Sequence, residues 1–200
     1  MSITANNNQA LVIPLNDAKI VANGSISDDE FKFIKKHIKY KFSDMFFADA
    51  VILVEGISEY NLLPYYLERS KKLRHKYISV LNINGAHGMV YNTLLKALKI
   101  PAVIITDLDI KRTEDEKKTY KQISKLTERD TTNQTIIHYN ANGKDIDNVP
   151  QYFQDDNIYI TFQNKVGYYY ATSFEEALIA SNSHNEIVNK VLKKLKPDIY

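Results

Sequence analysis

Two apolar runs, each breaking into acid, constrain this chain more than any other feature. Val51, Ile52, Leu53 and Val54 are followed at once by Glu55 and Gly56. Ala102, Val103, Ile104, Ile105 and Thr106 are followed by Asp107, Leu108 and Asp109. Unbroken β-branched and aliphatic runs suit strands that are covered on both faces, as in a parallel sheet between helices. In open sheets of that kind, ligands bind outside the carboxyl ends of the strands. Both acidic clusters are therefore expected at one crevice.

The intervening segments fit βαβ crossovers. A first strand over 50–54 leads to a helix over 58–72, with Leu62, Leu63, Tyr66 and Leu67 inward and Pro64 early enough to be tolerated. A second strand is expected over 77–83, a Gly-Ala-His-Gly loop over 85–88, a helix over 89–98 and a third strand over 100–106. The charged stretch that follows suggests a solvated helix over 114–126. Residues 140–150 read as a loop, 157–163 as a fourth strand, and 166–170, with three tyrosines in a row, as a half-buried strand. Ser173 opens a helix to about 180, and 185–195 form a last, basic one. The expected fold is α/β, with a mainly parallel four-stranded sheet flanked by helices. Upstream, the Asn-rich residues 1–10 read as loose and 11–20 as a short extended segment. A capping box from Ser27 to Glu30 starts an amphipathic helix that runs to about 46.

Composition narrows the function classes. The 200 residues suit one domain with a short appendage, and 44% hydrophobic with 25% charged is ordinary for a soluble protein. With no cysteine, disulfides, thiolate metal sites and cysteine catalysis are excluded. A net charge of +2 does not advertise nucleic-acid binding, so any such contact must come from local patches. No apolar run approaches a bilayer span, and the first ten residues lack the basic and apolar regions of a signal peptide.

The acids carry the chemistry. Glu55 and Glu59 share a helical face if the helix begins by residue 57. Asp107 and Asp109 point to one side if the chain there is extended. Four carboxylates at neighbouring strand ends repel one another unless a cation lies among them, and hard divalent ions with oxygen ligands suit such a set. Plainer readings stand beside this one. Glu55 and Glu59 can be first-turn helix acids, the aspartates can cap a turn, and Ser173 with Glu176 is itself a capping box.

VEGISE, NINGAHG, ITDLD and the later SFEEALI, spread over 47–179, together resemble the Toprim domain, and within it the OLD (overcoming lysogenization defect) family of nucleases. The resemblance implies a Toprim-like, Rossmann-like fold and cleavage of DNA phosphodiester bonds. It implies Mg²⁺ or Mn²⁺ as cofactor, with two ions if Ser173 and Glu175 form a second set. Glu55, Asp107 and Asp109 would be catalytic, and Glu55, Glu59, Asp107, Asp109, Ser173 and Glu175 the metal set. Lys111, Arg112, Lys193 and Lys194 are candidates for DNA contact.

In that family an ATPase region precedes the Toprim domain. No GxxxxGK[ST] loop occurs here, so residues 1–47 are expected to be an arm linking to it and 48–200 the catalytic domain. The family's catalytic lysine has no clear match among the late lysines, which favours a piece of a larger protein. The implied partners are DNA, the ATPase region of the parent protein or a separate ATPase, and a second copy of the chain. No membrane is implied, and the implied location is cytoplasmic, with a role in phage defence. The rival readings are an RNA-cleaving Toprim enzyme and a non-catalytic metal-binding or assembly module.

Overall fold

A computed structural model of the chain describes residues 2–6, 9–13, 29, 32, 36, 43–83 and 88–197. Most of the expected helix over 27–46 and most of the loop over 85–88 lie outside the described residues. The chain forms two compact units, one of residues 1–106 with 152–161, the other of 107–151 with 162–200.

The first unit is built on a five-stranded sheet. Its strands are β3 (Ala50–Val54), β4 (Ile78–Asn82), β5 (Ala102–Ile105), β6 (Tyr152–Asp155) and β7 (Ile158–Thr161), in the order β4-β3-β5-β7-β6. The first four run parallel, and β6 is an antiparallel edge strand. Helices α1 (Ile57–Arg69) and α2 (Asn92–Leu98) make the crossovers. Val51, Val54, Ile104, Ile158 and Ile160 are fully buried, and Leu94, Leu95 and Leu98 of α2 are also core residues. Each such side chain contributes roughly 1.5–3 kcal/mol on burial. β3 and β5 alternate buried with half-buried positions and are less enclosed than their composition suggests. Gly88 is required for close packing, because a Cβ there would lie 2.6 Å from Cγ2 of Ile104.

Several expectations change. The sheet has five strands rather than four. The extra one, β6, returns into β7 through the tight turn Asp156-Asn157, with Asp156 at φ 56°. Tyr66, expected inward, is exposed, and the residue that α1 buries is Glu59. Part of the stretch expected to be loose forms a hairpin, β1 (Ser2–Asn6) with β2 (Gln9–Ile13).

The second unit holds two short helices, α3 (Glu114–Lys118) and α4 (Gln134–Tyr139). It also holds the hairpin β8 (Lys165–Val166) with β9 (Tyr169–Tyr170), and helices α5 (Phe174–Ser181) and α6 (Glu186–Leu195). Leu108, Ile110, Ile123, Leu126, Ile136, Ile146 and Ala171 are buried hydrophobic residues of this unit. α3 stops far short of residue 126 because the chain beyond it pairs elsewhere. Tyr170 donates its N–H to the Ile123 carbonyl at 2.7 Å. A part-buried ion pair ties α3 to the following loop, with both Arg129 Nη atoms on the Glu116 carboxylate at 2.6 and 2.9 Å. That guanidinium holds the Glu116 carboxyl far below the usual carboxylate range. No helix among the described residues is long and apolar enough to cross a membrane.

Candidate metal centre

In the first unit, the register of β3 with β5 sets Val54 beside Ile105. The next residue of each strand is therefore Glu55 or Thr106, side by side at the carboxyl end. Thr106 is wholly buried, and its hydroxyl donates to Glu55 Oε1 at 2.7 Å. Gly56 then caps α1, which begins at Ile57 as the shared-face reading required. Glu59 is only 2% exposed, so it is not a solvated first-turn acid. Its carboxylate folds back over Gly56, where any Cβ would collide with Glu59 Oε2. The glycine thus makes room for a buried acid, and such an acid is costly to desolvate unless something compensates its charge.

In the second unit, Asp107 takes two hydrogen bonds on one oxygen. Gln163 Nε2 donates to Oδ1 at 2.8 Å and the Phe174 backbone N–H at 3.0 Å. The second bond comes from the first turn of α5, so the SFEEALI and ITDLD motifs meet at Asp107. Burial pushes the Asp107 carboxyl up. The Phe174 N–H opposes that shift, Asp109 repulsion adds to it, Gln163 opposes it, and Glu175 repulsion adds again. A partly desolvated carboxylate that two neighbouring acids repel has a charge that favours a cation.

Asp109 does not continue an extended chain from Asp107. It sits at φ 46°, a left-handed conformation rare for residues other than glycine. Neighbours hold it there: its N–H donates to the Thr172 carbonyl, its own carbonyl accepts from Thr132 N–H, and Oδ2 accepts from Asn133 Nδ2 at 3.2 Å. Leu108, between the two aspartates, is fully buried as expected.

Ser173 caps α5, its hydroxyl accepting from Glu176 N–H at 3.3 Å. Glu175 is exposed. Glu176 is committed to Arg112 at 3.1 Å and to the Thr172 N–H at 2.9 Å, whereas Glu175 is the acid of this pair whose charge acts on Asp107. Arg112 is correspondingly held by Glu176 and mostly buried. Lys111, Lys193 and Lys194 are exposed.

Every donor in these clusters is oxygen, which fits a hard divalent ion. Among the described residues, no three His, Asp or Glu side chains converge closely enough to enclose one.

Sequence reasoning missed Thr106, Gln163 and Asn133. Strand position offered a signal for two of them. Thr106 is the register partner of Glu55. Gln163 stands two residues past β7 just as Asp107 stands two past β5, and β5 and β7 are paired with Ile105 beside Thr161.

Residues 46–109 match the family described as Overcoming lysogenization defect protein-like, TOPRIM domain. The chain is 50% identical over 203 residues to an Endonuclease GajA of Bacillus cereus (strain HuB5-5), an alignment that covers 99% of this chain. The chain spans about 30% of the length of that relative. No solved structure gives a significant match. Nucleases of the Toprim class generally use divalent metal ions, and the matched segment contains Glu55, Glu59, Asp107 and Asp109. By these matches, residues 46–109 are similar to the Toprim domain of the OLD-like family.

Proposed function

We propose that this chain is the metal-dependent, DNA-cleaving part of a larger OLD-family endonuclease that acts in phage defence. The observation that carries the proposal is the state of Asp107. It is a partly desolvated carboxylate repelled by Asp109 and Glu175, with its two donors on a single oxygen. Such an arrangement gains from a cation and leaves a carboxylate edge to receive it.

By the resemblance, Glu55, Glu59, Asp107 and Asp109 are the candidate ligands of Mg²⁺ or Mn²⁺, with Ser173 and Glu175 as candidates for a second ion. A three-carboxylate cage is not required, because Mg²⁺ is commonly held by one or two carboxylates, retained waters and substrate phosphates. A bound ion would lower the pKa of a water nucleophile and stabilise charge on the phosphate. The protein's part is to fix the carboxylates: Thr106 orients Glu55, Gln163 and Phe174 N–H orient Asp107, and Asn133 orients Asp109. Glu55 is the candidate general acid/base.

Lys111, Lys193 and Lys194 are offered as DNA phosphate contacts, with Arg112 supporting Glu176 instead. Residues 1–47 are read as an arm toward an ATPase region and 48–200 as the catalytic domain. DNA, that ATPase and a second copy are the partners, in the cytoplasm.

The test is strand cleavage of labelled DNA and RNA, read on denaturing gels, by one preparation in Mg²⁺ and in EDTA. Mg²⁺-dependent cleavage of DNA supports the proposal. Cleavage of RNA alone favours an RNA-cleaving enzyme, and metal binding with no cleavage of either favours a non-catalytic module.

A further inference from the structure

Gln163 is 9% exposed, and both ends of its amide are engaged. Oε1 accepts from the Leu108 N–H at 3.1 Å, and Nε2 donates to Asp107 Oδ1 at 2.8 Å. This pairing fixes the amide orientation, because a flipped amide would set Oε1 against a carboxylate and Nε2 against an N–H. The Phe174 N–H reaches the same Oδ1 at 3.0 Å. A carboxylate oxygen has two lone-pair directions, so Oδ1 is satisfied within the fold. A carboxylate turns about a broad, two-fold torsion, and two donors on one oxygen remove that freedom.

We infer that Gln163 is the positioning residue for Asp107, locking its carboxylate so that Oδ2 is the oxygen presented to a divalent cation. The inference rests on the metal-dependent reading above and names a residue outside the acidic set. Groups that hydrogen-bond to metal ligands set ligand orientation, and losing one typically lowers metal affinity or activity about 10–100-fold.

The experiment measures Mn²⁺ binding to the full chain by electron paramagnetic resonance, for wild type, Gln163→Met, Gln163→Leu and Asp107→Asn. Thermal unfolding in EDTA is measured alongside. Met and Leu both remove the donor without adding charge, so the variant that folds better decides. The expected result is a folded Gln163 variant whose Mn²⁺ dissociation constant rises about 10–100-fold, with DNA cleavage recovered at high Mn²⁺. A merely structural role predicts lower thermal stability and no recovery by metal. Mn²⁺ affinity within about twofold of wild type, together with loss of binding in Asp107→Asn, overturns the role of Gln163 and leaves the metal site standing. Binding that Asp107→Asn leaves unchanged overturns the metal site and the inference with it.

Discussion

Gly56→Ala should destabilise the protein through one contact. The backbone at Gly56 lies at φ −108°, ψ 156°, an ordinary extended conformation, so alanine meets no backbone strain. Removing a glycine restricts the unfolded chain and stabilises by about 0.4–1 kcal/mol. Gly56 is also the N-cap of α1, where alanine is the poorer residue by about 0.5–1 kcal/mol, so these terms nearly cancel. The steric term remains. The new Cβ falls on Glu59 Oε2, 3.2 Å from Cδ and 3.4 Å from Oε1. Glu59 is 2% exposed, so its carboxylate cannot swing into water without repacking. Overpacking of this kind costs about 1–3 kcal/mol, which sets the expected net loss.

Urea unfolding of Gly56→Ala, Glu59→Ala and the double variant tests this. The methyl should cost about 1 kcal/mol or more less once Glu59 is truncated, because residues in contact couple by that order. A Gly56→Ala midpoint at or above wild type would refute the reasoning. So would an equal loss in the Glu59→Ala background.

Two further predictions follow from ionisation. The Asp107 carboxyl is raised by burial, so its charged form lowers stability above the raised pKa, and the penalty vanishes below its ordinary value of 3.8. Asp107→Asn keeps an oxygen for Gln163 and Phe174, so in EDTA it should melt at or above wild type at pH 7, with no advantage below pH 3.8; a lower melting temperature at pH 7 would contradict this. Glu116 is shifted the other way by Arg129, so its contribution is complete above its ordinary pKa of 4.5 and is lost as pH falls through its lower folded value. Glu116→Gln should melt below wild type at pH 7, and thermal scans should show the gap narrowing only below pH 4.5. A gap independent of pH would show that charge is not the cause.

The parallel core was legible because burial and strand propensity agree. The runs at 50–54 and 102–105 are strands in place, and each breaks into acid at its carboxyl end. The edge strand β6 was missed because Tyr152-Phe153-Gln154-Asp155 is mostly exposed and has no apolar face to announce it. Its turn, Asp156-Asn157, lacks glycine and relies on aspartate's tolerance of positive φ. The helix over 114–126 was overextended because its charge pattern allows a helix, whereas pairing of Ile123 with Tyr170 fixes the chain otherwise. The candidate acids Glu55 and Asp107 could be named from sequence because they stand just past the ends of β3 and β5. The residues that aim them could not, because Gln163 and Phe174 reach Asp107 across more than fifty intervening positions.

The central claim is that Asp107 serves a metal-dependent cleavage of DNA. The most direct measurement is nicking of supercoiled plasmid by wild type and Asp107→Ala in parallel, with Mg²⁺, Mn²⁺, Ca²⁺ or EDTA. The account predicts nicking by wild type with Mg²⁺ or Mn²⁺, none in EDTA, and loss of nicking in the variant while its fold is retained. Equal nicking by the folded variant, or nicking by wild type that EDTA leaves unchanged, would contradict it.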